Sequence, residues 1–381
     1  MKKDYILIIN GGTSSLKFSL FNLELKRVLS GSFNLIGEKK SSLSIIGFKK
    51  DKRLYNFGYN LKYWWKELFK ILKEYNIKYI GFRIVHGGEE FINTTIVNIN
   101  FLNKVENYNK FAPLHNPISL ELIKLAKSTW NNVKMSVSFD TAWYKDLPDK
   151  AYLYSLPIKY YKKNSIRRYG FHGLSHEFAT KYTSKKLKKS LNKINIITCH
   201  LGSGNSIAWY NKGKVQDTTM GFSPNEGITM ATRSGTIPSA ITFYLLDTFK
   251  ISINRLKEIL NKESGLYGLC GLSDLREVLS ASGYKIKGFK NIRKFTKKQK
   301  KESKIALSVF IYSIQKYLAT YIGMSKKLDA IVFTGGIGVN SGIIRKMVIK
   351  NLAIPKKCKI IIAPEGESYI LAYKTFKYFI R

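Results

Sequence analysis

The sequence predicts a two-domain α/β protein whose core is built twice. Residues 5–21 and 195–211 share one design: an apolar strand, a turn rich in Gly, Ser or Asn, and a second strand. Their turns lie about 190 residues apart in a chain of 381 residues, and domains usually run to about 100 to 200 residues. A Gly/Ser turn between strands exposes backbone N–H groups that can hold phosphate oxygens. We therefore expect one phosphate-binding turn on each half, with a cleft between the halves.

Composition argues against several classes of protein. Hydrophobic residues make up 44% of the chain, which can thus bury ordinary cores, and no apolar run approaches the roughly 20 residues of a membrane span. The apolar segment after the charged start is shorter than the roughly seven residues of a signal-peptide core. Cys199, Cys270 and Cys358 are too far apart to suggest a zinc or redox site. These features predict a reduced, cytoplasmic protein.

The net charge of +40 would by itself suggest nucleic acid or an acidic membrane as a partner. However, the lysines are spread along the whole chain, together with abundant Asn, Ile, Tyr and Phe, which A+T-rich coding sequences favour. The densest runs, residues 185–193 and 285–304, are typical of solvated helix or loop surfaces. We expect no specific nucleic-acid role and no membrane partner.

The first strand–turn–strand segment places polar residues at its turn. Residues 10–15 read NGGTSS, and Lys17 follows on the outgoing strand. Because Lys17 alternates with Leu16 and Phe18, its side chain projects to the opposite face from theirs. There it could reach a phosphate as a point charge, or it could be a solvated strand lysine.

A helix and a strand follow in this half of the chain. Residues 61–75 predict an amphipathic helix, whose apolar side chains indicate core packing: Leu61, Trp64, Trp65, Leu68 and Leu72. Residues 79–85 predict a strand that contains Arg83 and runs into a His-Gly-Gly turn. An arginine in an otherwise apolar strand is costly to bury unless it meets an anion. Arg83 is therefore a candidate site residue.

The next helix and strand lead to a carboxylate. A rigid loop at residues 111–117 precedes a predicted helix over 118–126, and residues 133–139 predict a buried strand that ends at Asp140. The carboxyl ends of strands in a sheet of this class are where ligands bind. Asp140 is therefore a candidate for the site, although it could instead cap the turn that follows it.

The five histidines share one context, since each is predicted to lie in a turn bounded by Gly or Pro: His86, His115, His172, His176 and His200. Their clustering in loops favours one shared site, where imidazoles and arginines surround anionic oxygens. Ser175 is the predicted N-cap of the helix that follows His172. Cys199, next to His200, could be a nucleophile, but a small apolar residue at a strand end explains it better.

Two Gly-rich stretches follow in the second half. The Gly-rich residues 266–275 end with Asp274 and Leu275, and Arg276 follows them. Residues 328–341 predict a strand that enters a glycine turn, which suits a flat base and a ribose lying against the backbone. A strand from residue 360 and a closing helix are predicted to complete the chain.

Together these segments resemble the acetate kinases, a family within the superfamily of acetate and sugar kinases, Hsp70 and actin. In chain order the motifs read NGGTSSLKFSLF, FRIVHGGE, APLHNP, FDTAW, RRYGFHGLSH, HLGSGNS, DTTMGF, TRSG and FTGGIG. They cover nearly the whole chain and are jointly very specific. The resemblance implies a duplicated ribonuclease-H-like fold, the actin-like ATPase fold, with two domains around a central cleft.

The resemblance also implies an activity and its residues. The reaction is reversible, direct in-line phosphoryl transfer from ATP to acetate, giving acetyl phosphate and ADP, with Mg²⁺ or, in its place, Mn²⁺. The implied catalytic residues are Arg83, Asp140, His172 and Arg233. Asn10 and Glu367 would hold the metal. The implied substrate-binding residues are Arg83, Val85, Leu114, His115, Phe171 and Pro224. The implied nucleotide-binding residues are Lys17, His200, Leu201, Gly202, Ser203, Gly204, Asp274, Leu275, Arg276, Gly336, Ile337, Gly338, Val339 and Asn340.

Several positions depart from the family pattern. Phe82 stands where the family usually has His, Ser203 replaces an Asn, and Val339 replaces a Glu. Residues 11–13, Gly-Gly-Thr, vary the usual Ala-Gly-Ser. None of these changes removes a residue assigned to the chemistry, whereas Ser203 and Val339 bear on nucleotide affinity.

By this resemblance, domain I comprises residues 1–145 and the closing helix 366–381, on the acetate and phosphate side. Domain II comprises residues 146–365, on the nucleotide side, and the resemblance implies a homodimer. Three alternatives stay open. The chain could be a propionate or butyrate kinase with a larger pocket, a nucleic-acid-binding or degenerate relative without kinase activity, or a nucleotide-dependent switch like the superfamily's chaperones and actins.

Overall fold

A computed structural model describes residues 3–12, 15–34, 41–47, 51–55, 61–289 and 293–380. The chain divides into two units. Unit 1 comprises Met1–Lys145, His172–Phe178 and Gly366–Arg381, and unit 2 comprises Asp146–Phe171 and Ala179–Glu365. The segment His172–Phe178 thus groups with unit 1, although it lies within the predicted domain II. Which unit binds acetate and which binds nucleotide stays a prediction.

Unit 1 is built on an eight-stranded sheet. Its strands are β1 (Asp4–Gly11), β2 (Ser15–Asn22), β3 (Arg27–Asn34), β4 (Ser41–Ile46), β5 (Asp51–Tyr55), β6 (Asn76–Ile84), β7 (Thr95–Ile96) and β8 (Lys134–Phe139). They lie in the order β5-β4-β3-β2-β1-β6-β8-β7. The strands from β5 to β1 pair antiparallel, and β1, β6 and β8 pair parallel.

The helices of unit 1 cover this sheet with apolar faces. They are α1 (Leu61–Leu72), α2 (Ile99–Val105), α3 (Asn116–Thr129) and α14 (Glu367–Phe379). The predicted apolar face of α1 is confirmed, since Leu61, Trp64, Trp65, Leu68 and Leu72 are all buried. The C-terminal helix α14 packs through Ile370, Leu371 and Ala372 against Ile6 and Ile8 of β1. This packing places Glu367, the first residue of α14, in unit 1.

Unit 2 contains a five-stranded sheet in the order β11-β10-β9-β12-β13. The strands are β9 (Asn195–Leu201), β10 (Asn205–Asn211), β11 (Lys214–Thr218), β12 (Ala330–Thr334) and β13 (Lys359–Ile362). The helices of this half are α4 (Asp149–Tyr152), α5 (Lys159–Asn164), α6 (Gly173–Leu187), α7 (Ser239–Asp247), α8 (Ile253–Lys262), α9 (Gly265–Cys270), α10 (Leu275–Ala281), α11 (Lys297–Met324), α12 (Gly335–Asn340) and α13 (Gly342–Ile349). The first residues of α6 belong to unit 1.

The predicted duplication is confirmed by the topology of the two sheets. In unit 1, β3, β2 and β1 pair antiparallel and continue into parallel β6 and β8. In unit 2, β11, β10 and β9 pair antiparallel and continue into parallel β12 and β13. The two Gly/Ser turns join equivalent strands, β1 to β2 and β9 to β10. Residues 13 and 14 of the first turn lie outside the described residues.

Among the residues that the structure describes, one helix, α11, is long and apolar enough to cross a membrane by length and composition alone. It buries Phe310, Ile314 and Leu318 in the same cluster as Ile331 and Phe333 of β12. Because this face belongs to the core of unit 2, we interpret α11 as a core helix.

Two local predictions are wrong. Ser175 is not an N-cap, because α6 already begins at Gly173. The expected glycine turn after β12 is instead a short helix, α12, which begins directly at Gly335. Gly335 adopts a φ of +76°, and a Cβ there would lie 2.6 Å from the Leu201 carbonyl oxygen. This close approach explains why a glycine stands between β12 and α12.

Candidate functional site

The centre of the candidate site in unit 1 is a pair between Arg83 and Asp140. Arg83 is the penultimate residue of β6, and Asp140 directly follows β8, the strand beside it. Arg83 Nε lies 3.0 Å from Asp140 Oδ1, and Arg83 Nη2 lies 2.5 Å from Oδ2. The anion that a buried arginine was predicted to need is thus, within unit 1, a carboxylate of the protein itself.

Asn10 and Glu367 extend this pair into a hydrogen-bonded chain. Arg83 Nη1 donates to Asn10 Oδ1 at 3.0 Å, and Asn10 Nδ2 donates to Glu367 Oε2 at 3.3 Å. The four residues come from the ends of β1, β6 and β8 and from the start of α14. Four residues predicted from separate motifs are therefore brought together in unit 1.

The four hydrogen-bonded residues carry a net negative charge, because two carboxylates, Asp140 and Glu367, accompany one guanidinium. Burial disfavours the charged form of Arg83, but the charges of Asp140 and Glu367 outweigh burial and raise its pKa. Asp140 has 1% of its surface exposed. Arg83 is thus a fixed cation, with two of its guanidinium nitrogens held by Asp140 and the third by Asn10.

Asp140 does not cap the turn that follows it. It occupies the N-cap position of the 3₁₀ helix Thr141–Tyr144, but its side chain makes no capping hydrogen bond. Its two oxygens face Arg83 instead. The capping alternative is therefore wrong.

His172 is held close to Asp140 by the backbone. A Cβ at Gly173 would overlap the Asp140 carbonyl oxygen, so the chain passes close to Asp140 at this point. His172 itself adopts a φ of +56°, which is uncommon for a residue with a side chain and often marks a functional constraint. The structure thus adds His172 to the neighbourhood of Asp140 in unit 1.

Lys17 lies on the same sheet as this chain and faces its side. It pairs in register with Asn10 across the β1–β2 hairpin, and directly opposed residues share one face of a sheet. Lys17 is exposed, whereas Leu16 and Phe18 are buried, as the alternation predicted. Its placement leaves both interpretations, phosphate contact and solvated lysine, as predictions.

The prediction that all five histidines lie in turns is wrong for two of them. His176 is buried inside α6, and His200 lies in β9. His86 is buried, and burial lowers its pKa to about 3, so it is neutral at physiological pH. Its Nδ1 accepts a hydrogen bond from the Gly88 N–H at 3.1 Å. His86 therefore shapes its turn and carries no charge at neutral pH.

Cys199 has the properties of a core residue. It is fully buried in β9, and burial raises the pKa of its thiol. A nucleophilic cysteine needs a lowered pKa and access to solvent. The small-apolar-residue interpretation fits the structure.

In unit 2, Arg233 has the features of an anion-binding group. Its Nη1 donates to the Pro224 carbonyl at 3.3 Å, and its pKa is lowered by burial. Within the described part of the chain, no carboxylate pairs with Arg233, and its remaining guanidinium N–H groups are not taken up by an acid. A partly buried guanidinium without a carboxylate is favourable when an anionic ligand supplies the missing charge.

The β9–β10 turn holds its predicted residues together in unit 2: His200, Leu201, Gly202, Ser203 and Gly204. Not all of its N–H groups point outward, because the Gly202 N–H donates to Asn205 Oδ1 at 2.9 Å. Asn205 is buried and also donates to the Thr229 carbonyl at 3.0 Å. Asn205 was missed from sequence. The only local signal was an Asn directly after the Gly-Ser-Gly turn, a residue type common in turns.

The predicted adenosine residues lie at two helix starts of unit 2. Asp274 is the N-cap of α10, and its carboxylate accepts hydrogen bonds from the Arg276 N–H at 2.8 Å and from Arg276 Nη2 at 2.6 Å. Burial opposes ionisation of Asp274, but the hydrogen bonds from Arg276 prevail and lower its pKa. Leu275 is buried beneath them.

The second set of predicted adenosine residues is α12 itself: Gly336, Ile337, Gly338, Val339 and Asn340. Asn340 Nδ2 donates to the Gly336 carbonyl at 2.9 Å. Arg345 Nη1 donates to the carbonyls of Gly338 and Val339 at 2.8 and 2.7 Å. Sequence reasoning missed Arg345, which satisfies the carbonyls at the end of this short helix.

The predicted acetyl-pocket residues divide between the units. Val85, Leu114 and His115 belong to unit 1, and Phe171 and Pro224 belong to unit 2. Val85 and Phe171 are buried, whereas Leu114 has 47% of its surface exposed. Their common role as one pocket stays a prediction.

A family model described as the Acetokinase family matches residues 5–356. The chain belongs to this family. Acetate kinase from Bacillus cytotoxicus is 39% identical over 358 residues, which cover 91% of this chain and 86% of that protein.

Solved structures of the acetokinase family share the fold. A propionate kinase from Francisella tularensis superposes with a TM-score of 0.88 at 32% identity, covering 99% of this chain and 100% of that one. Acetate kinase from Porphyromonas gingivalis has a TM-score of 0.85 at 28% identity, covering 98% and 99%. The predicted duplicated, actin-like fold is confirmed by these neighbours.

The departures from the family pattern occupy sites of different kinds. Phe82 is buried in the core of unit 1, next to Arg83 along β6. Ser203 is exposed at the β9–β10 turn, and Val339 is half-buried in α12. Ser203 and Val339 therefore lie where a ligand could meet them, and Phe82 does not.

Proposed function

We propose that this member of the acetokinase family transfers the γ-phosphoryl group of ATP to acetate, reversibly, giving acetyl phosphate and ADP. Family membership over residues 5–356 carries this proposal. The hydrogen-bonded set of Glu367, Asn10, Arg83 and Asp140 supports this activity, because the set places a fixed cation between oxygen ligands at the carboxyl ends of parallel strands.

The proposed chemistry relies on positioning and charge. The transferring phosphoryl group spreads negative charge over its equatorial oxygens, so fixed donors around it lower the barrier. We assign this task to Arg83, Arg233 and His172. The roles follow from the motifs of the family, and they are consistent with a held guanidinium at Arg83 and one without a carboxylate at Arg233.

In this proposal, Asp140 acts through Arg83. With both oxygens accepting from Arg83, it fixes the orientation of the guanidinium before substrate arrives. A planar fork that is already oriented loses less entropy when it grips a carboxylate or a phosphoryl group. Asp140 therefore acts by preorganising Arg83.

The oxygen ligands near Arg83 fit Mg²⁺. No group of three or more His, Cys, Asp or Glu residues among the described residues could hold a metal. Mg²⁺ is typically held by one or two carboxylates, water and substrate phosphates, and Mn²⁺ accepts similar ligands. Glu367 and Asn10 would hold it, with Asp140 nearby. The ion would neutralise phosphate charge, and the net negative charge of this chain of residues favours a cation.

For the nucleotide, we propose Lys17 and the segment from His200 to Gly204 at the phosphates. Asp274, Arg276 and α12 would contact the ribose and base. The Gly202 N–H donates to Asn205 and so fixes the shape of the turn. We therefore propose that the next two N–H groups, those of Ser203 and Gly204, contact the phosphates.

A propionate kinase is the second candidate, and the solved propionate kinase at a TM-score of 0.88 favours it. The two reactions differ by one methylene in the acid. An apolar pocket distinguishes such acids by only about 1–3 kcal/mol, mainly through steric exclusion. Butyrate, with one more methylene, is the next acid to compare.

We propose that the protein is a cytoplasmic homodimer. Helix α7 supports dimerisation, because it buries none of its residues although Ile241, Phe243 and Tyr244 are apolar or aromatic and exposed. Residues 234–249 contain no Lys or Arg in a chain with 65 of them. Because this face carries no Lys or Arg, a second copy of the cationic chain could bind there without charge repulsion. Nucleic acid, by contrast, binds where Lys and Arg side chains contact its phosphates. Three free cysteines support a reducing compartment.

The test is an ATP-dependent acyl-phosphate assay with hydroxylamine trapping. Acetate, propionate and butyrate are compared side by side, and we expect acetate to give the highest kcat/KM. Higher kcat/KM with propionate would favour the second candidate. No hydroxamate with any acid, combined with steeply salt-dependent DNA binding, would contradict the kinase proposal.

A further inference from the structure

A partly buried polar cluster in unit 2 holds the loop that carries Pro224. Its members, the anchor cluster, are Tyr154, Arg168 and Glu226. Arg168 Nη1 lies 3.0 Å from Glu226 Oε1, and the Tyr154 hydroxyl donates to Glu226 Oε2. None of the three was predicted to be a site residue.

Tyr154 and Arg168 of the anchor cluster both keep their protons. Burial and the charge of Glu226 raise the pKa of Tyr154, so the hydroxyl keeps its proton. Burial disfavours the charged form of Arg168, but the Glu226 carboxylate outweighs it and raises the pKa. Arg168 also donates to the carbonyls of Ala151 and Thr218, at 3.1 and 3.2 Å. The three side chains are thus mutually satisfied.

The cluster binds one backbone group at the start of the loop, and the backbone of Tyr169 binds another. The Phe222 N–H donates to Tyr154 Oη at 2.8 Å and to Glu226 Oε2 at 3.3 Å. On the other side, the Gly221 carbonyl accepts from the Tyr169 N–H at 3.0 Å. A Cβ at Gly221 would overlap Glu226 Oε2 and Tyr154 Oη. The cluster therefore packs directly against the loop backbone.

The far side of this loop meets Arg233. Arg233 Nη1 donates to the Pro224 carbonyl at 3.3 Å, two residues beyond the gripped Phe222 N–H. Pro224 has no N–H and a fixed φ, so a displacement at Phe222 is carried to the Pro224 carbonyl over a short distance. The position of the Arg233 fork thus depends on the anchor cluster.

We propose that Tyr154 and Glu226 are positioning residues that set the place of Pro224 and the orientation of Arg233 for the acid substrate. This inference rests on the proposed function, in which Arg233 grips the carboxylate and Pro224 borders the methyl group. Neither positioning residue touches substrate. Together they determine how large an acid is accepted and how well its carboxylate is held.

The test uses Tyr154→Phe, with Tyr152→Phe as the matched control. Tyr152 is two residues away, and its hydroxyl interacts with Tyr161 and Asp149 rather than with the loop. In Tyr154→Phe we expect the KM for acetate to rise about tenfold, because a hydrogen bond to a charged partner is lost. The KM for ATP should stay within twofold. The ratio of kcat/KM for propionate to that for acetate should also change, which a general loss of stability would not cause.

A second readout does not need activity. Hydrogen–deuterium exchange of a peptide covering residues 220–227 reports the Phe222 amide, which the two side chains protect. We expect faster exchange in Tyr154→Phe and wild-type exchange in Tyr152→Phe. Glu226→Gln, which keeps the shape but weakens the pair with Arg168, should act in the same direction if Tyr154→Phe folds poorly.

The outcomes separate the two proposals. If wild type makes no acyl phosphate, the proposed function fails, and exchange alone then decides whether the anchor cluster holds the loop. If wild type is active, an unchanged acid ratio, acetate KM and exchange rate in both variants would overturn the inference. Parallel loss of thermal stability and turnover at an unchanged acid ratio would also overturn it, because the cluster would then be merely structural.

Discussion

Replacing the two partners of the Arg83–Asp140 pair, singly and together, tests whether the pair serves stability, activity or both. Asp140 is 1% exposed and the Arg83 side chain 16%, and two hydrogen bonds of 3.0 and 2.5 Å join them. Asp140→Leu leaves a guanidinium without its carboxylate, and Arg83→Met leaves a buried carboxylate without its guanidinium. Breaking a buried pair from one side costs roughly 3–5 kcal/mol of the free energy of unfolding.

The double variant separates the two roles. Because both charges are gone, it should be less destabilised than the sum of the single variants, by up to roughly 3 kcal/mol. Turnover, however, should stay low in all three, on the order of 10²- to 10³-fold below wild type, since a preorganised donor is lost in each. Stability is measured by urea denaturation and turnover by the hydroxamate assay.

A surface pair provides the control. Glu106 and Lys124 lie 3.1 Å apart with 52% and 61% of their side chains exposed, and such a pair contributes about 0–1 kcal/mol. Glu106→Gln should therefore leave stability and turnover close to wild type. Additive free energies for Arg83→Met and Asp140→Leu, or recovery of turnover in the double variant, would refute the reasoning.

Three further variants test other features. The folded-state pKa of His86 is about 3 and the unfolded value is 6.5, so the free energy of unfolding falls by about 1.4 kcal/mol for each pH unit below 6.5. His86→Asn should remove this contribution and make the fall less steep. Equal slopes of the free energy of unfolding against pH, measured by denaturation from pH 7 to 5, would contradict this. Gly335→Ala should lower the free energy of unfolding by at least about 1 kcal/mol, because its φ is +76° and Leu201 is close; wild-type stability would exclude the close approach. Phe243→Glu in α7 should shift the protein from dimer to monomer in sedimentation, and an unchanged species would exclude this face as the interface.

The sequence allowed the fold to be predicted where its signals are local. The apolar spacing in α1 reflects burial of one face, and the apolar runs of β9 and β12 reflect burial of both faces, so both kinds of element were predicted correctly. The duplication could be predicted because equivalent strands carry similar turns. The start of α6 was misplaced, because it lies where Gly173 approaches the Asp140 backbone, and no local sequence signal indicates that contact.

The site was only partly predictable for a related reason. A cost of burial indicated that Arg83 needs an anion, but nothing local to β6 says that the anion is Asp140, 57 residues later. The partner is fixed by the parallel pairing of β6 with β8. The anchor cluster of Tyr154, Arg168 and Glu226 could not be predicted from sequence for the same reason, since its members come from three separate segments.

The two sheets share one topology, but different types of residue lie at the ends of their equivalent strands. In unit 1, β6 ends at Arg83 and Ile84, and β8 is followed by Asp140. In unit 2, β12 is followed at once by Gly335 and a helix start. Charged ends suit a small carboxylate and a cation, whereas a glycine end lets backbone lie against a flat base. Because the scaffold is the same, the difference between the halves resides in these few terminal residues.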